Sequence, residues 1–240
     1  MLILGHRGAM ALHPENTLRG IIAALDDPRI AGVEFDVRLS ADGVPMVFHD
    51  KTMDRLTGAT GYFERMTTGE LAALSVDGEP IPTLQAVVDA WRHLRPEPAP
   101  RSFNVELKPS SNYDALVAAC RPILDPLAGE RATTAVVVSS FDPRVLKAAQ
   151  TADAPWRLAL LYDKPEGLSA LPHFDAPDTL DLHPHFSLLT DEAVDSLRRP
   201  GREFRCWTVN DPAEARRIEG LGCAAVICND PTAMANALGA

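Results

Sequence analysis

Residues 2–25 read LILGHRGAMALHPENTLRGIIAAL, an apolar run, a charged pair between glycines, a turn and an amphipathic segment. The run Met1 to Leu4 suits one short buried strand. Leu18, Ile21, Ile22 and Leu25 then fall at i, i+3, i+4 and i+7, which predicts a helix that Asn16 or Thr17 can cap. Strand, polar loop, helix is the unit of a parallel sheet with crossover helices. His6 and Arg7 stand where the strand ends.

The same unit recurs along the chain. Strands are predicted at LILG, GVEFDV, SFNVEL, TAVVVSS, RLALLY, DTLDL, EFRCWTV and AAVIC. Leu84, Val87, Val88 and Trp91 repeat the helical spacing after Thr83, and further helices are predicted at 112–128, 142–153, 165–171, 190–198, 212–220 and 231–238. Pro143, Pro165, Pro212 and Pro231 fall in first turns, where a missing N–H costs little. Eight strand–helix units predict a (β/α)8 TIM barrel spanning residues 1–240 as one domain.

One stretch departs from the count. Residues 40–82 form an insertion after the second strand, opening with a hairpin at Asp42-Gly43 between VRLS and VPMVFH. With Ser40 and Gly43 flanking the turn, Asp36 would oppose Val47 and Glu34 would oppose His49, leaning His49 over the barrel mouth. Thr67 and Glu70 can form a capping box on a short helix. RPEPAP at 95–100 reads as a stiff loop.

The 240 residues carry a net charge of −10, which argues against general attraction to nucleic acid or an anionic membrane. No apolar run is long enough to cross a bilayer, and the start lacks the basic and apolar regions of a signal peptide, so no stable membrane insertion is expected. Cys120, Cys206, Cys223 and Cys228 form no CxxC pair and suit a reducing, cytoplasmic setting.

Working residues of such a barrel lie at the carboxyl ends of its strands. His6 and Arg7 end the first, Glu34 and Asp36 share a face of the second, and Glu106 and Lys108 share a face of the third. Three carboxylates converging from two strands make a hard-oxygen site for Mg²⁺ or Ca²⁺. The structural alternative is a set of salt bridges in which Arg7 and Lys108 neutralise the acids. His183 and His185, at i and i+2, suggest a second metal only weakly, while His93 and His173 read as surface residues.

HRG at 6–8, PENT at 14–17, ExD at 34–36, DG with VFHD at 42–50, ExK at 106–108, SSF at 139–141, WTVN at 207–210 and NDP at 229–231 together resemble the glycerophosphodiester phosphodiesterase family. The resemblance implies hydrolysis of a small-molecule glycerophosphodiester to sn-glycerol 3-phosphate and an alcohol. It implies His6 and His49 as acid/base pair, Glu34, Asp36 and Glu106 as ligands of a divalent metal ion, and Arg7 and Lys108 as phosphate contacts. Trp207, ending the seventh strand, reads either as barrel core or as an apolar wall for substrate carbons. His13 before PENT and NDP in place of TDP depart from the family pattern, neither expected to touch the chemistry. An alternative within enzymes is a lysophospholipase D or phosphoinositide-type phospholipase, for which Tyr62, Phe63 and Met66 would form a modest apolar rim. A barrel that only binds a glycerophosphate ligand would be expected to lack one of the histidines or acids, and all are present.

Overall fold

The computed structural model describes residues 1–94, 101–130 and 134–240. RPEPAP at 95–100 lies outside them. In chain order the strands are β1 (Leu2–His6), β2 (Gly32–Leu39), β3 (Pro45–Val47), β4 (Ser75–Val76), β5 (Glu79–Pro80), β6 (Arg101–Leu107), β7 (Thr134–Ser140), β8 (Arg157–Tyr162), β9 (Asp181–Pro184), β10 (Arg205–Cys206) and β11 (Ala225–Cys228). The α-helices are α1 (Leu18–Asp26), α2 (Asp54–Thr57), α3 (Thr68–Leu71), α4 (Leu84–Leu94), α5 (Tyr113–Glu130), α6 (Pro143–Thr151), α7 (Asp191–Leu197), α8 (Pro212–Gly220) and α9 (Pro231–Leu238).

Parallel strands run in the order β10-β11-β1-β2-β6-β7-β8-β9. Isolated bridges Leu182↔Phe204 and His185↔Trp207 join the two ends, closing the (β/α)8 TIM barrel. On β2, Val33, Phe35 and Val37 are fully buried in the core beneath the helices while Glu34 and Asp36 alternate to the interior. On β6, Phe103, Val105 and Leu107 repeat the pattern against Asn104 and Glu106. Burying each such side chain contributes about 1.5–3 kcal/mol, which holds the polar faces in register. Gly32 is required where β2 meets β6, since a Cβ there would lie 2.0 Å from the Ser102 carbonyl oxygen.

Three predicted elements differ. Residues 165–173 form a 3₁₀ helix, with Pro172 inside it. The strand predicted at DTLDL starts only at Asp181, because Pro177–Thr179 form another 3₁₀ turn. EFRCWTV contracts to Arg205–Cys206, with Phe204 and Trp207 contributing single bridges. Thr17 caps α1 by accepting the Gly20 N–H, and prolines 143, 165, 212 and 231 all occupy first turns.

The insertion pairs β3 antiparallel to β2, but one residue away from the predicted register. Val37 opposes Val47 and Leu39 opposes Pro45. The loop has three residues, closed by Ser40 N–H donating to the Val44 carbonyl, with Gly43 left-handed at φ 81°. Glu34 therefore does not pair with His49; β3 ends at Val47 and His49 lies in the loop that follows. Phe48 stacks on Phe63 at 4.9 Å within a separate small core that includes Met46, Met53 and Leu71. The Thr67–Glu70 capping box forms on α3. Anchored in this way, His49 rides on packed structure.

Candidate active site

Strand register brings the acids together. His6 pairs with Glu34 between β1 and β2, and Asp36 pairs with Glu106 between β2 and β6. Ligand oxygens of Glu34, Asp36 and Glu106 lie within 4.8 Å of one another, all three buried. After His6 the chain turns sharply, with Arg7 at φ 50° and Gly8 at φ 85°. Gly8 packs so closely on α1 that a Cβ would meet the Gly20 backbone at 2.5 Å. A left-handed arginine is a strained conformation, held here by its bonds: its N–H donates to Glu34 Oε2 (3.0 Å) and its Nη1 to Glu15 Oε1 (2.8 Å).

Both readings of the charges are present at once. Lys108 Nζ lies 2.9 Å from Asp36 Oδ1 and 2.6 Å from Glu106 Oε1, and Arg7 Nε lies 3.4 Å from Asp36 Oδ2. Burial would raise Asp36, but Lys108 and Arg7 outweigh it and hold the carboxyl well below its ordinary range. Glu106 goes the other way, pushed up to about 7 by burial that Lys108 only partly offsets. Glu34 is raised well above normal by burial and by the neighbouring Asp36 and Glu106 charges. The nearest histidine nitrogen, His6 Nε2, lies 4.0 Å from Glu34 Oε2 and offers no countercharge, since burial keeps His6 neutral. Two cations thus fail to neutralise the cluster, and oxygen donors under mutual repulsion suit a hard divalent ion.

Each histidine presents one nitrogen to a partner. His6 Nδ1 bonds Asn229 Oδ1 at 2.7 Å, and His49 Nδ1 bonds Asp50 Oδ1 at 2.6 Å. With Nδ1–H donating in both, each Nε2 is left to act on a ligand. Burial, reinforced by Arg7, lowers His6 to about 4. Burial also lowers His49, with Lys108 and Arg7 adding to it and Asp36 and Asp50 opposing. His6, Arg7, His49, Glu34, Glu106, Lys108 and Trp207 line one narrow cavity of about 100 Å³. Asp36 lies beneath, reached through Arg7 and Lys108.

Five residues of this network were given no role at the site by the sequence. Asn16, left-handed at φ 58°, bonds Asp36 by its Nδ2 (2.8 Å) and accepts the Asp36 N–H (3.1 Å), so of the two predicted caps only Thr17 serves α1. Glu15 joins Arg7 to Arg55, and Arg55 grips Asp50 at 2.6 Å. Asn229 corrects an expectation: the asparagine that departs from the family pattern touches His6 directly. Glu15 and Asn16 sit in PENT, Asp50 in VFHD and Asn229 in NDP, where the motif was the available signal, while Arg55 lies outside every quoted motif.

Trp207 donates its indole N–H to the His183 carbonyl and packs edge-on against Phe141 at 5.2 Å and His185 at 5.4 Å. It is therefore half wall and half support. Phe63 of the supposed apolar rim is fully buried, leaving Tyr62 as the exposed aromatic of the insertion. Among the described residues no helix is long and apolar enough to cross a membrane. All four cysteines are buried and unbridged.

His183 and His185 do not form a second metal group among the described residues. His185 bonds Ser187, while His183 is fully buried with neither ring nitrogen hydrogen-bonded among the described residues, and Arg205 and Arg157 add to its burial to lower its pKa well below 6.5. The folded protein keeps this ring neutral, whereas the unfolded chain protonates it near 6.5. Unfolding thus takes up a proton below that pH, so stability is present above it and falls on acidification, by up to about 1.4 kcal/mol per pH unit. His183→Leu is expected to show a flatter stability profile than wild type between pH 6.5 and 5 in urea unfolding; parallel profiles would mean the ring is protonated in the fold.

Acids and histidines gathered at this end of a parallel barrel are the mark of a (β/α)8-barrel enzyme. The family is also shown: residues 6–233 match the Glycerophosphoryl diester phosphodiesterase family, and the chain belongs to it. It is 26% identical to the glycerophosphodiester phosphodiesterase of Caldanaerobacter subterraneus subsp. tengcongensis, over 98% of this chain and 96% of that protein. A phosphodiesterase of Oleispira antarctica, solved in complex with the product sn-glycerol-3-phosphate, matches with a TM-score of 0.85 at 25% identity, covering 100% of this chain and 97% of the other. The glycerophosphodiester phosphodiesterase of Thermotoga maritima matches with a TM-score of 0.77 at 27% identity, covering 98% and 97%.

Proposed function

We propose that this enzyme hydrolyses small-molecule glycerophosphodiesters to sn-glycerol 3-phosphate and an alcohol, using a divalent cation, Mg²⁺ or Ca²⁺. The observation that carries the reading is the meeting of His6 and His49 on one cavity with the Glu34, Asp36 and Glu106 cluster. Those three carboxylates would hold the cation, which when bound supplies fixed positive charge beside the phosphoryl oxygens.

The chain's own residues then divide the work. Arg7 and Lys108 sit with their cationic groups at the cavity wall and stabilise the negative charge that grows on the phosphoryl group. His6, kept neutral by burial and by Arg7, takes the proton of the attacking oxygen, either of water directly or of the glycerol 2-hydroxyl, in which case water then opens the resulting cyclic phosphate to glycerol 3-phosphate. His49, lowered by burial but with Asp36 and Asp50 favouring its imidazolium against that burial, gives a proton to the departing alkoxide as the phosphorus–oxygen bond breaks. Trp207 and Phe141 shield the substrate carbons. Release of glycerol 3-phosphate from a glycerophosphodiester by the purified protein tests the reading, and no release with Mg²⁺ or Ca²⁺ supplied would refute it.

Arg7→Ala is expected to cost on the order of 2–4 kcal/mol of transition-state stabilisation, the size of a lost charge-stabilising donor. Because Arg7 also bonds Glu15 and Asp36, the thermal midpoint is measured on the same preparation. A variant that is well folded with wild-type kinetics would assign Arg7 to structure alone.

A further inference from the structure

Beside the catalytic cavity lies a larger groove of about 560 Å³, walled by Arg38, Lys51, Tyr62, Arg65, Ser110 and Arg144, with Glu64 as its one carboxylate. It adjoins the reacting centre through short connections. Arg38 Nε donates to the His49 carbonyl (2.9 Å), Lys51 follows His49 by two residues, and Ser110 follows Lys108 by two. Four cations against one acid is the reverse of the chain as a whole, whose net charge is −10.

The pairing of these cations separates them from ordinary surface charge. Several exposed arginines elsewhere lie against acids, as in Arg19–Glu79, Arg199–Asp178 and Arg217–Glu214, while Arg198 and Arg216 are held by the Leu221 and Ala237 carbonyls. In the groove, Arg144 is bonded to Asp142 and stacked on Tyr113, and Arg38 lies 4.0 Å from Glu64. Lys51 and Arg65 have no carboxylate partner among the described residues. Both instead lie over the Tyr62 ring, at 5.6 Å and 4.9 Å from its centre. Two like charges held on one ring, with buried Arg38 in the same wall, repel one another unless an anion lies between them.

We propose that this groove receives the alcohol moiety of the substrate and selects glycerophosphodiesters whose alcohol carries a further anionic group, such as a second phosphate. The inference rests on the proposed function. His49, the proton donor to the departing alcohol in that reading, lines the cavity and is tied at its carbonyl to Arg38 of the groove, so the alcohol would leave on this side. A phosphate on the alcohol would meet Lys51 and Arg65 without disturbing the glycerol 3-phosphate half.

The test compares kcat/KM for a glycerophosphoinositol without a ring phosphate and for one bearing it, in wild type and in the Lys51→Glu, Arg65→Glu double variant. Wild type is expected to favour the phosphorylated diester by about tenfold or more, falling as salt screens the groove. Charge reversal should remove that preference and leave cleavage of the unphosphorylated diester within about twofold. Equal wild-type rates for the two diesters, or an equal loss on both in the variant, would overturn the groove proposal alone. Failure of wild type to cleave either diester would overturn the proposed function beneath it.

Discussion

Removing divalent cations with a chelator is expected to reduce turnover by about three orders of magnitude or more, since a metal ion contributes several kcal/mol to such a transition state. Restoring Mg²⁺ or Ca²⁺ should restore it. The expectation follows from the charge left over at the site. Lys108 and Arg7 satisfy Asp36, but Glu34 and Glu106 are both driven toward their neutral forms by burial and mutual repulsion. An added cation relieves that repulsion; an added proton does so without chemical use. Glu106→Gln should therefore weaken cation binding, read by equilibrium dialysis, and slow turnover together. It also removes one of the two carboxylates on Lys108, so the thermal midpoint is recorded alongside. Full activity in a chelated preparation shown to hold no metal would end the proposal, and the cluster would then be the salt-bridge network that Arg7 and Lys108 already form in part.

The barrel was legible in the sequence because its strands carry two periodicities at once. Val33, Phe35 and Val37 alternate with Glu34 and Asp36, and only a wall with a helix layer on one side and a functional interior on the other satisfies both. What escaped was set by single backbone angles and by loop length. The hairpin register turned on whether two or three residues close the loop, and Gly43 at φ 81° decides for three. Asn16 could cap a helix or bind a carboxylate, and its left-handed backbone hands it to Asp36 while Thr17 takes the cap. Glu15 and Asn229 bond partners 8 and 223 residues away, pairings that no local pattern encodes. His49 is assigned to the mouth through a register one residue out and reaches it nonetheless, because the insertion's own core around Phe48 and Phe63 fixes the segment after β3.

Replacing either histidine by alanine is expected to lower kcat by about 10²- to 10⁴-fold, the range for a lost general acid or base. The two come from unrelated elements, His6 from the end of β1 and His49 from the insertion, yet they line one cavity with Nδ1 of each engaged and Nε2 of each available. If they act in one proton relay, the double variant should be little worse than either single one, because groups working as a unit are not additive. Cation binding and glycerol 3-phosphate affinity should survive His49→Ala, since neither needs a proton donor at that position. Asp50→Asn gives an independent check: it keeps the shape beside His49 but removes the charge that would stabilise its imidazolium, so kcat should fall while KM stays near wild type. A purely structural His49, holding the insertion to the barrel, predicts the opposite pattern, with a lowered thermal midpoint and normal turnover in the folded fraction. Midpoint, ligand affinity and rate measured on one His49→Ala preparation separate these outcomes, and a stable variant with wild-type turnover would remove His49 from the chemistry.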